Sequence, residues 1–253
     1  MFLFDTHLHI DLYKDYQKII EEIENNSIYT ISMTNAPSVF KKACQIVRGC
    51  KYIKTALGFH PELVKQRYYE IESFSEFIHE TTYIGEVGLD FSNANDEERT
   101  MQKKAFERIL LLCRKNPKKV LSIHSRKAVA DVLSLLGNNF PGIVILHWFS
   151  GNMNLLKQAI QQGCYFSINI AMLSTMSGRQ IVGEIPIDKL LLESDGPFVT
   201  INNNLVRPLD IKIVVERIAK IKNLDLEATS RIIEENFRKL CLGRWETISE
   251  IIN

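Results

Sequence analysis

Residues 143–151, IVILHWFSG, begin with a short apolar run that ends at a histidine. A histidine or a carboxylate also follows a short apolar run at FLFDTHLH (2–9), YIGEVG (83–88), VLSIH (120–124) and LLLESD (190–195). Continuous apolar runs of this length are typical of parallel strands that are buried on both faces. The chain therefore places histidines and carboxylates where buried strands are predicted to end.

Eight such runs alternate with helical patterns. The predicted strands are 2–6, 28–33, 52–57, 82–86, 119–123, 143–147, 164–168 and 189–193. The predicted helices lie near 13–25, 37–48, 62–79, 96–115, 126–137, 152–161, 174–183 and 207–222, and one further helix, 226–240, closes the chain. Eight strand-then-helix units in 253 residues predict an α/β protein, a (β/α)8 TIM barrel with an additional C-terminal helix. We expect one domain over residues 1–253, because barrels of this length are single units. A doubly wound open sheet is the alternative, but only a closed barrel brings strand ends from the whole chain to one face.

Composition narrows the class of protein. Hydrophobic residues make up 45% of the chain, the net charge is +1, and the five cysteines contain no CxxC pair. We expect free thiols and a cytoplasmic protein, because the N-terminus lacks a signal peptide and no apolar run approaches the roughly 18 residues that span a membrane. The near-neutral charge argues against a non-specific grip on long duplex DNA.

His7 and His9 form an HxH pair on the first predicted strand. Side chains two residues apart on a strand point to the same face, and neutral imidazoles there are good ligands for first-row metals. Asp5 and Asp11 flank the pair. Either carboxylate could orient an imidazole ring, or be only structural or solvent-facing.

Glu86 follows the fourth predicted strand between two glycines, Gly85 and Gly88, which allow close backbone packing. A buried carboxylate is costly unless it is paired or metal-bound. Many barrel metallohydrolases bridge two cations with a modified lysine, but this strand has none, so Glu86 is the natural bridge for two metals about 3.5–4 Å apart. Asp90, in the following loop, is a second candidate.

His124 and His147 end the fifth and sixth predicted strands at the same relative position. Together they indicate ligands for a second metal. Asp195, after the eighth strand, lies where a barrel hydrolase places the carboxylate that touches metal and takes a proton from the attacking water. Glu193 is the alternative for that role, or a structural ion pair.

Three further residues are candidates for substrate binding. His60, in LGFHPE (57–62), could contact a phosphate or protonate a leaving oxygen, and Pro61 keeps it extended. Arg126, with Ser125, is predicted to open a helix whose N-terminus suits a phosphate; a surface salt bridge is the alternative. Trp148 could stack a base or pack in the core.

Six motifs, in order and spacing, carry a family resemblance: DTHLHID, GFHPE, IGEVGLD, HSRKA, HWFSG and LLLESDGPF, with NFRKLCLG (236–243) near the C-terminus. They resemble the TatD-type metal-dependent deoxyribonucleases of the amidohydrolase superfamily. The resemblance implies a barrel with two divalent metal ions, Mg²⁺, Mn²⁺ or Zn²⁺. It also implies a role for each strand-end residue: His7 and His9 bind one metal, His124 and His147 bind the other, Glu86 bridges them, Asp195 ligates and acts as base, and His60 contacts the scissile phosphate.

The chain departs from the family pattern at three places. Trp148 stands where the family usually has Cys, Ser194 stands where it has Thr, and TINNNLVRP (200–208) offers only Arg207, the fourth substrate-binding candidate, in place of a basic stretch. HWFSG and the short loop resemble the TatD-like component of the Qat anti-phage system. That resemblance implies partner proteins and a role in phage defence.

The leading hypothesis is therefore hydrolysis of DNA phosphodiester bonds. Single strands or 3′ ends are favoured as substrates, because a barrel mouth accepts a chain end or one extruded nucleotide. One alternative is a metal-dependent hydrolase of a small ester, lactone or amide, since a fold does not determine the substrate. The other is a non-catalytic scaffold subunit of a defence complex.

Overall fold

The computed structural model describes residues 1–241 and places the chain in the α/β class. The strands are β1 (Phe4–Leu8), β2 (Tyr29–Ser32), β3 (Ile53–Thr55), β4 (Leu57–Phe59), β5 (Tyr83–Gly88), β6 (Val120–His124), β7 (Ile143–His147), β8 (Tyr165–Ile168), β9 (Leu190–Leu192), β10 (Thr200–Ile201) and β11 (Asn204–Leu205). The helices are α1 (Tyr16–Asn25), α2 (Pro37–Ile46), α3 (Val64–Arg67), α4 (Ile71–Phe77), α5 (Asp96–Arg114), α6 (Val129–Leu136), α7 (Met153–Gln161), α8 (Ile170–Ser174), α9 (Met176–Glu184), α10 (Ile211–Lys222) and α11 (Leu226–Leu240).

The chain forms two compact units. Unit 1 takes in residues 1–32, 46–54 and 166 onward, and unit 2 takes in residues 33–45 and 55–165. The extent of a single domain over 1–253 stays a prediction, and residues 242–253, including the end of NFRKLCLG, lie outside the described residues. Within residues 1–241, no helix is both long and apolar enough to cross a bilayer.

Unit 1 brings the first and the ninth strand together. β1 pairs in parallel with β2, and β8 pairs in parallel with β9. The Thr6 hydroxyl donates to the Leu192 carbonyl at 2.9 Å, and the Asp195 amide donates to the His7 carbonyl at 2.9 Å. These bonds hold the end of β1 next to the turn after β9. Behind them lies an apolar core that includes Leu8, Ile10, Ile19, Ile23 and Ile28.

Unit 2 is built on four neighbouring parallel strands in the order β4, β5, β6, β7. Phe59 pairs with Val87, Gly88 with His124, and Ile123 with Leu146. Because the strands are parallel and in this register, their carboxyl ends meet at one edge. Four predicted site residues of this unit lie at these ends: His60 follows β4, Glu86 lies near the end of β5, and His124 and His147 end β6 and β7.

Gly88 makes the close approach of β5 and β6 possible. It has φ +139°, and a Cβ at this position would lie 2.1 Å from the His124 carbonyl oxygen. No side chain fits there, so only glycine allows the strand end to lie against His124. The sequence prediction that a glycine here serves close packing is confirmed.

Most predicted elements are present, but two segments differ. The strand predicted at 52–57 is two short strands, β3 and β4. The helix predicted at 62–79 is α3 and α4, separated by the 3-10 turn Tyr68–Glu70. Glu70 explains the break: its buried carboxylate accepts a hydrogen bond from the Ser38 amide at the start of α2, and another from Arg67, both at 2.9 Å. The backbone leaves helical geometry at Arg67, with φ −127° and ψ 21°, and these contacts hold the 3-10 turn that follows.

Three further boundaries differ from the predictions. The helix predicted from residue 126 begins at Val129, because Lys127 has a left-handed φ of +54° that a right-handed α-helix cannot contain. The helix predicted at 174–183 is α8 followed by α9, each capped by its own Asn169 or Thr175 side chain. The α10 helix begins at Ile211 rather than 207, whereas α11 confirms the predicted helix 226–240.

The hairpin of β10 and β11 is absent from the sequence prediction. Thr200 pairs with Leu205 and Ile201 with Asn204 across a two-residue turn. The turn residues Asn202 and Asn203 have φ of +50° and +65°. Asparagine tolerates this conformation, which tight two-residue hairpin turns require, so the Asn-Asn pair was a usable signal.

Candidate metal centre

The HxH group, defined as His7, His9 and Asp195, is buried in unit 1. One ligand atom from each residue lies within 4.8 Å of the others. The Nε2 atoms of His7 and His9 are 3.2 Å apart, and they lie 3.7 and 3.9 Å from Asp195 Oδ1. Two imidazole nitrogens and one carboxylate oxygen that converge in this way suit a divalent metal.

Asp5 positions the HxH group, but through the backbone rather than through a ring. Its Oδ1 accepts hydrogen bonds from the His7 amide at 3.1 Å and the Ser194 amide at 3.0 Å, and its Oδ2 accepts one from the Ser194 hydroxyl at 2.5 Å. Burial raises the pKa of Asp5 to about 7, although these hydrogen bonds oppose the shift. The carboxyl group ties β1 to the segment that carries Asp195. Among the described residues, Asp5 makes no hydrogen bond with an imidazole ring.

Glu193, the alternative to Asp195, is also buried in unit 1. It accepts a hydrogen bond from the Asn169 amide group at 2.8 Å and another from the Ser167 hydroxyl. These donors satisfy much of its carboxylate. Asp195, rather than Glu193, shares the cluster with both histidines of the HxH pair.

The Glu86 group, defined as His60, Glu86, Asp90, His124 and His147, lies in unit 2. Glu86 Oε1 is at its centre and is 2.6 Å from His124 Nδ1, 2.9 Å from His147 Nε2 and 3.6 Å from His60 Nε2. The Nδ1 of His124 is also 3.2 Å from the Nε2 of His147. The Glu86 backbone is held by the Thr34 carbonyl, which accepts from its amide at 3.1 Å.

His60 belongs to this group, although the sequence did not require it for a metal. Its backbone is extended, with φ −61° and ψ +133°, as Pro61 predicts. Its Nδ1 accepts a hydrogen bond from the Glu62 amide at 3.3 Å. The hydrogen of a neutral ring is therefore on Nε2, which faces Glu86.

Electrostatics show how the Glu86 group is balanced. Burial alone would raise the pKa of Glu86, but His60, His147 and His124 outweigh it and hold that pKa well below its usual value. Burial likewise opposes a charge on His124, but Glu86 and Asp90 outweigh it and raise the His124 pKa. For Asp90 burial is again the largest single influence, yet its hydrogen bonds from His124 and Ser92 leave the pKa lowered.

This donor set fits a divalent metal. Glu86 Oε1, His124 Nδ1 and His147 Nε2 can each present a lone pair, and these three atoms lie 2.6–3.2 Å from one another. Such lone pairs repel unless a proton or a metal ion lies among them. Within each unit, a set of three residues has ligand atoms close enough together to hold a metal ion, within 4.8 Å of one another. In unit 1 the set is the HxH group, and in unit 2 it is His60, Glu86 and His124.

Three substrate-binding candidates remain: Arg126, Trp148 and Arg207. Arg126 is exposed in the turn before α6, not in the helix as predicted, and it forms no ion pair with any residue described by the structure. Trp148, next to His147, is 36% exposed, so the alternative of core packing is wrong. Arg207 donates to Glu22 at 2.8 Å and to Asp15 at 3.4 Å, so two carboxylates of unit 1 already hold its guanidinium.

Two residues received less weight from the sequence than the structure gives them. Asp90 Oδ2 lies 2.8 Å from His124 Nε2. Phe198 is 58% exposed, and its ring meets the His9 ring edge-on with centroids 5.1 Å apart. The available signals were the position of Asp90 within IGEVGLD and the aromatic residue directly after the Gly196–Pro197 turn.

Known proteins resemble this chain over most of its length. The family model described as "TatD related DNase" matches residues 4–241. A Bacillus subtilis protein, "Uncharacterized metal-dependent hydrolase YabD", is 27% identical over 94% of this chain and 98% of its own length. Human "Deoxyribonuclease TATDN3" is 25% identical over 94% of each chain.

Solved structures show the fold. YjjV, a TatD homologue from Escherichia coli, superposes with a TM-score of 0.84 at 18% identity, covering 94% of this chain and 97% of its own. A TatD-family hydrolase from Entamoeba histolytica gives a TM-score of 0.79 at 19% identity, over 95% and 98%. The predicted (β/α)8 TIM barrel class is confirmed by this likeness. The chain, matched from residue 4 to residue 241, belongs to the TatD-related DNase family of metal-dependent hydrolases.

Proposed function

We propose that this protein is a divalent-metal-dependent deoxyribonuclease that hydrolyses phosphodiester bonds. The observation that carries the proposal is the convergence of two imidazole nitrogens on Glu86 Oε1, at 2.6 and 2.9 Å, at the ends of three neighbouring strands. Family membership supplies the substrate class, because related proteins carry the name deoxyribonuclease.

His7, His9 and Asp195 would hold one divalent ion, and Glu86, His124 and His147 another; Mg²⁺, Mn²⁺ and Zn²⁺ are the candidates. Bound ions of this kind neutralise charge on phosphate oxygens and lower the pKa of the attacking water. The bridging role of Glu86 stays a prediction from the family resemblance.

The protein side chains would move the proton and orient the phosphate. As the water oxygen bonds to phosphorus and the P–O bond of the leaving group breaks, the proton of the water passes to the Asp195 carboxylate. The Nε2–H of His60 would donate to a phosphate oxygen, since Nδ1 is occupied by the Glu62 amide. Arg126 and Trp148, both exposed, would contact the backbone and a base of the substrate.

Purified protein supplied with Mg²⁺ or Mn²⁺ should degrade short single-stranded DNA. His124→Ala should abolish this, because it removes a donor from the Glu86 group. The matched control is His79→Ala, which changes an exposed histidine of the same unit and should leave the rate unchanged. Intact DNA in the wild-type sample with metal bound would exclude the nuclease proposal.

Hydrolysis of a small ester, lactone or amide is a second candidate. It is favoured by the net charge of +1, which gives the chain little overall attraction for a polyanion, and by the pairing of Arg207 with Glu22 and Asp15. A panel of phosphodiester, carboxyl-ester and lactone substrates would separate the two. Metal stoichiometry near zero in folded protein would instead favour a non-catalytic scaffold.

Two finer expectations belong to the same proposal. A preference for single strands or 3′ ends is tested with labelled single-stranded, blunt and 3′-overhang DNA. A role in phage defence with partner proteins is tested by plaque counts in cells that carry the gene with its genomic neighbours. Wild type should reduce plaque number, and His124→Ala should restore it.

A further inference from the structure

Asp90 is a buried carboxylate behind His124, and the roles assigned above do not use it. Only 3% of the residue is exposed. Its Oδ2 lies 2.8 Å from His124 Nε2, on the edge of the ring that faces away from Glu86 and His147. Asp90 is therefore placed to act on His124 rather than to join the donor atoms around Glu86 Oε1.

The contact determines which nitrogen of His124 carries the hydrogen. An ionised carboxylate only accepts hydrogen bonds, so His124 Nε2 must be the donor. By the same rule, Nδ1 of a doubly protonated ring would donate to Glu86 Oε1. Once the ring is neutral, with its Nε2 hydrogen held by Asp90, the lone pair is on Nδ1, 2.6 Å from Glu86 Oε1 and 3.2 Å from His147 Nε2. The ring presents its basic nitrogen to the other donors.

Asp90 is itself held in place from two directions. Its Oδ1 accepts a hydrogen bond from the Ser92 amide at 2.8 Å and another from the Ser92 hydroxyl. Its own amide donates to Gln102 Oε1, on α5, at 2.9 Å. The preceding residue, Leu89, donates its amide to the His124 carbonyl at 3.0 Å. Backbone and side chain of His124 are thus both tied to the segment that carries Asp90.

We infer that Asp90 is a positioning residue for metal binding: it fixes the tautomer and the ring orientation of His124 so that Nδ1 is the metal ligand. The inference rests on the proposed metal site of the Glu86 group. Carboxylates that hold a ligating histidine from behind raise its basicity and its order, and their loss typically costs about 10- to 100-fold in metal affinity.

The first test is Zn²⁺ affinity, measured by competition with a chromogenic chelator. Asp90→Ala should weaken binding by about 10- to 100-fold. Asp90→Asn, whose amide oxygen can still accept from Nε2, should recover most of the loss. Glu97→Ala, an exposed carboxylate on the same helix as Gln102, should bind like wild type. Asp90→Ala affinity within twofold of wild type would overturn the inference.

The second test is NMR of Zn²⁺-loaded protein labelled with ¹⁵N-histidine. In wild type, His124 should show a slowly exchanging hydrogen on Nε2 and a metal-shifted Nδ1. In Asp90→Ala that hydrogen should exchange rapidly or move to Nδ1. Should Asp90→Ala fail to fold, Asp90→Asn provides the comparison. Its hydrogen on His124 Nε2 should exchange faster than that of wild type. A His124 bound through Nε2 in wild type would overturn the inference. Neither measurement uses DNA, so a failed nuclease assay leaves both results readable.

Discussion

At the scale of single residues, the candidate ligands of unit 2 converge on one oxygen atom. Glu86 Oε1 lies within 3.6 Å of three imidazole rings, from His60, His124 and His147. A buried carboxylate without partners would be costly, so this arrangement requires hydrogen-bond donors, protons or a metal ion beside it. The same requirement supports the proposal that the group binds a divalent ion.

Trp148 allows a test of substrate contact at this scale. Its exposed ring follows the ligand candidate His147, and base stacking on an aromatic ring is worth about 1–3 kcal/mol. Trp148→Ala should therefore raise the Kd for single-stranded DNA roughly 5- to 150-fold, measured by fluorescence anisotropy with catalysis blocked by His124→Ala. Tyr69→Ala, which removes another exposed aromatic ring of unit 2, should leave the Kd unchanged. Equal Kd values for the two variants would contradict stacking on Trp148.

At the scale of elements, the site depends on how closely strand ends approach one another. β5 and β6 meet where Gly88 pairs with His124, and β1 meets the segment after β9 where Asp5 accepts from Ser194. In both places a glycine or a polar side chain, in addition to the apolar core, determines the position of a candidate ligand. The geometry of these strand ends therefore depends on specific close contacts and hydrogen bonds as well as on apolar packing.

Gly88→Ala tests this view. The new methyl group would lie 2.1 Å from the His124 carbonyl, and at φ +139° the backbone is also strained. We expect a loss of about 3 kcal/mol or more in the free energy of unfolding, measured by urea denaturation. Gly137→Ala is the matched control: its φ is +63°, but no atom lies within 4 Å of the added group. It should cost about 1–3 kcal/mol from backbone strain alone, and less than Gly88→Ala, which adds the clash to the strain. Equal losses for both variants would show that backbone strain alone, rather than the close approach, is responsible.

At the scale of the whole molecule, metal binding and folding should be coupled. A metal that binds the folded chain and not the unfolded one adds about 2.7 kcal/mol of stability at one hundred times its Kd. For a protein of this length that raises the Tm by about 5–10 °C. EDTA should therefore lower the Tm of wild type by this amount in a scanning fluorimetry experiment.

The His124→Ala variant provides the control for that experiment. Because it lacks one donor of the Glu86 group, chelation should lower its Tm less than that of wild type. His79→Ala should respond like wild type. An identical response of all three proteins to EDTA would place the stabilising metal outside the Glu86 group.

Sequence alone was sufficient for most of the fold, because its evidence is periodic and local. The apolar runs predict eight strands, and the structure has strands at each, with only 52–57 divided in two. Helices with a strong pattern, such as α5 and α11, begin and end at or within a residue of their predicted bounds. The failures occur where apolar periodicity carries no signal. Glu70 makes a contact with Ser38 at the start of α2, 32 residues away, and the left-handed φ of Lys127 delays the start of α6.

For the site, the sequence determined the residue types and their places at strand ends, since period-two alternation and apolar runs determine both. It could not determine which atoms face one another, because that depends on the register between strands far apart in the chain. Only the tertiary structure shows Asp90 behind His124, Asp5 on the Ser194 backbone instead of a ring, and Arg207 held by Glu22 and Asp15. Hydrogen bonds act over about 3 Å, a distance that no spacing in sequence encodes.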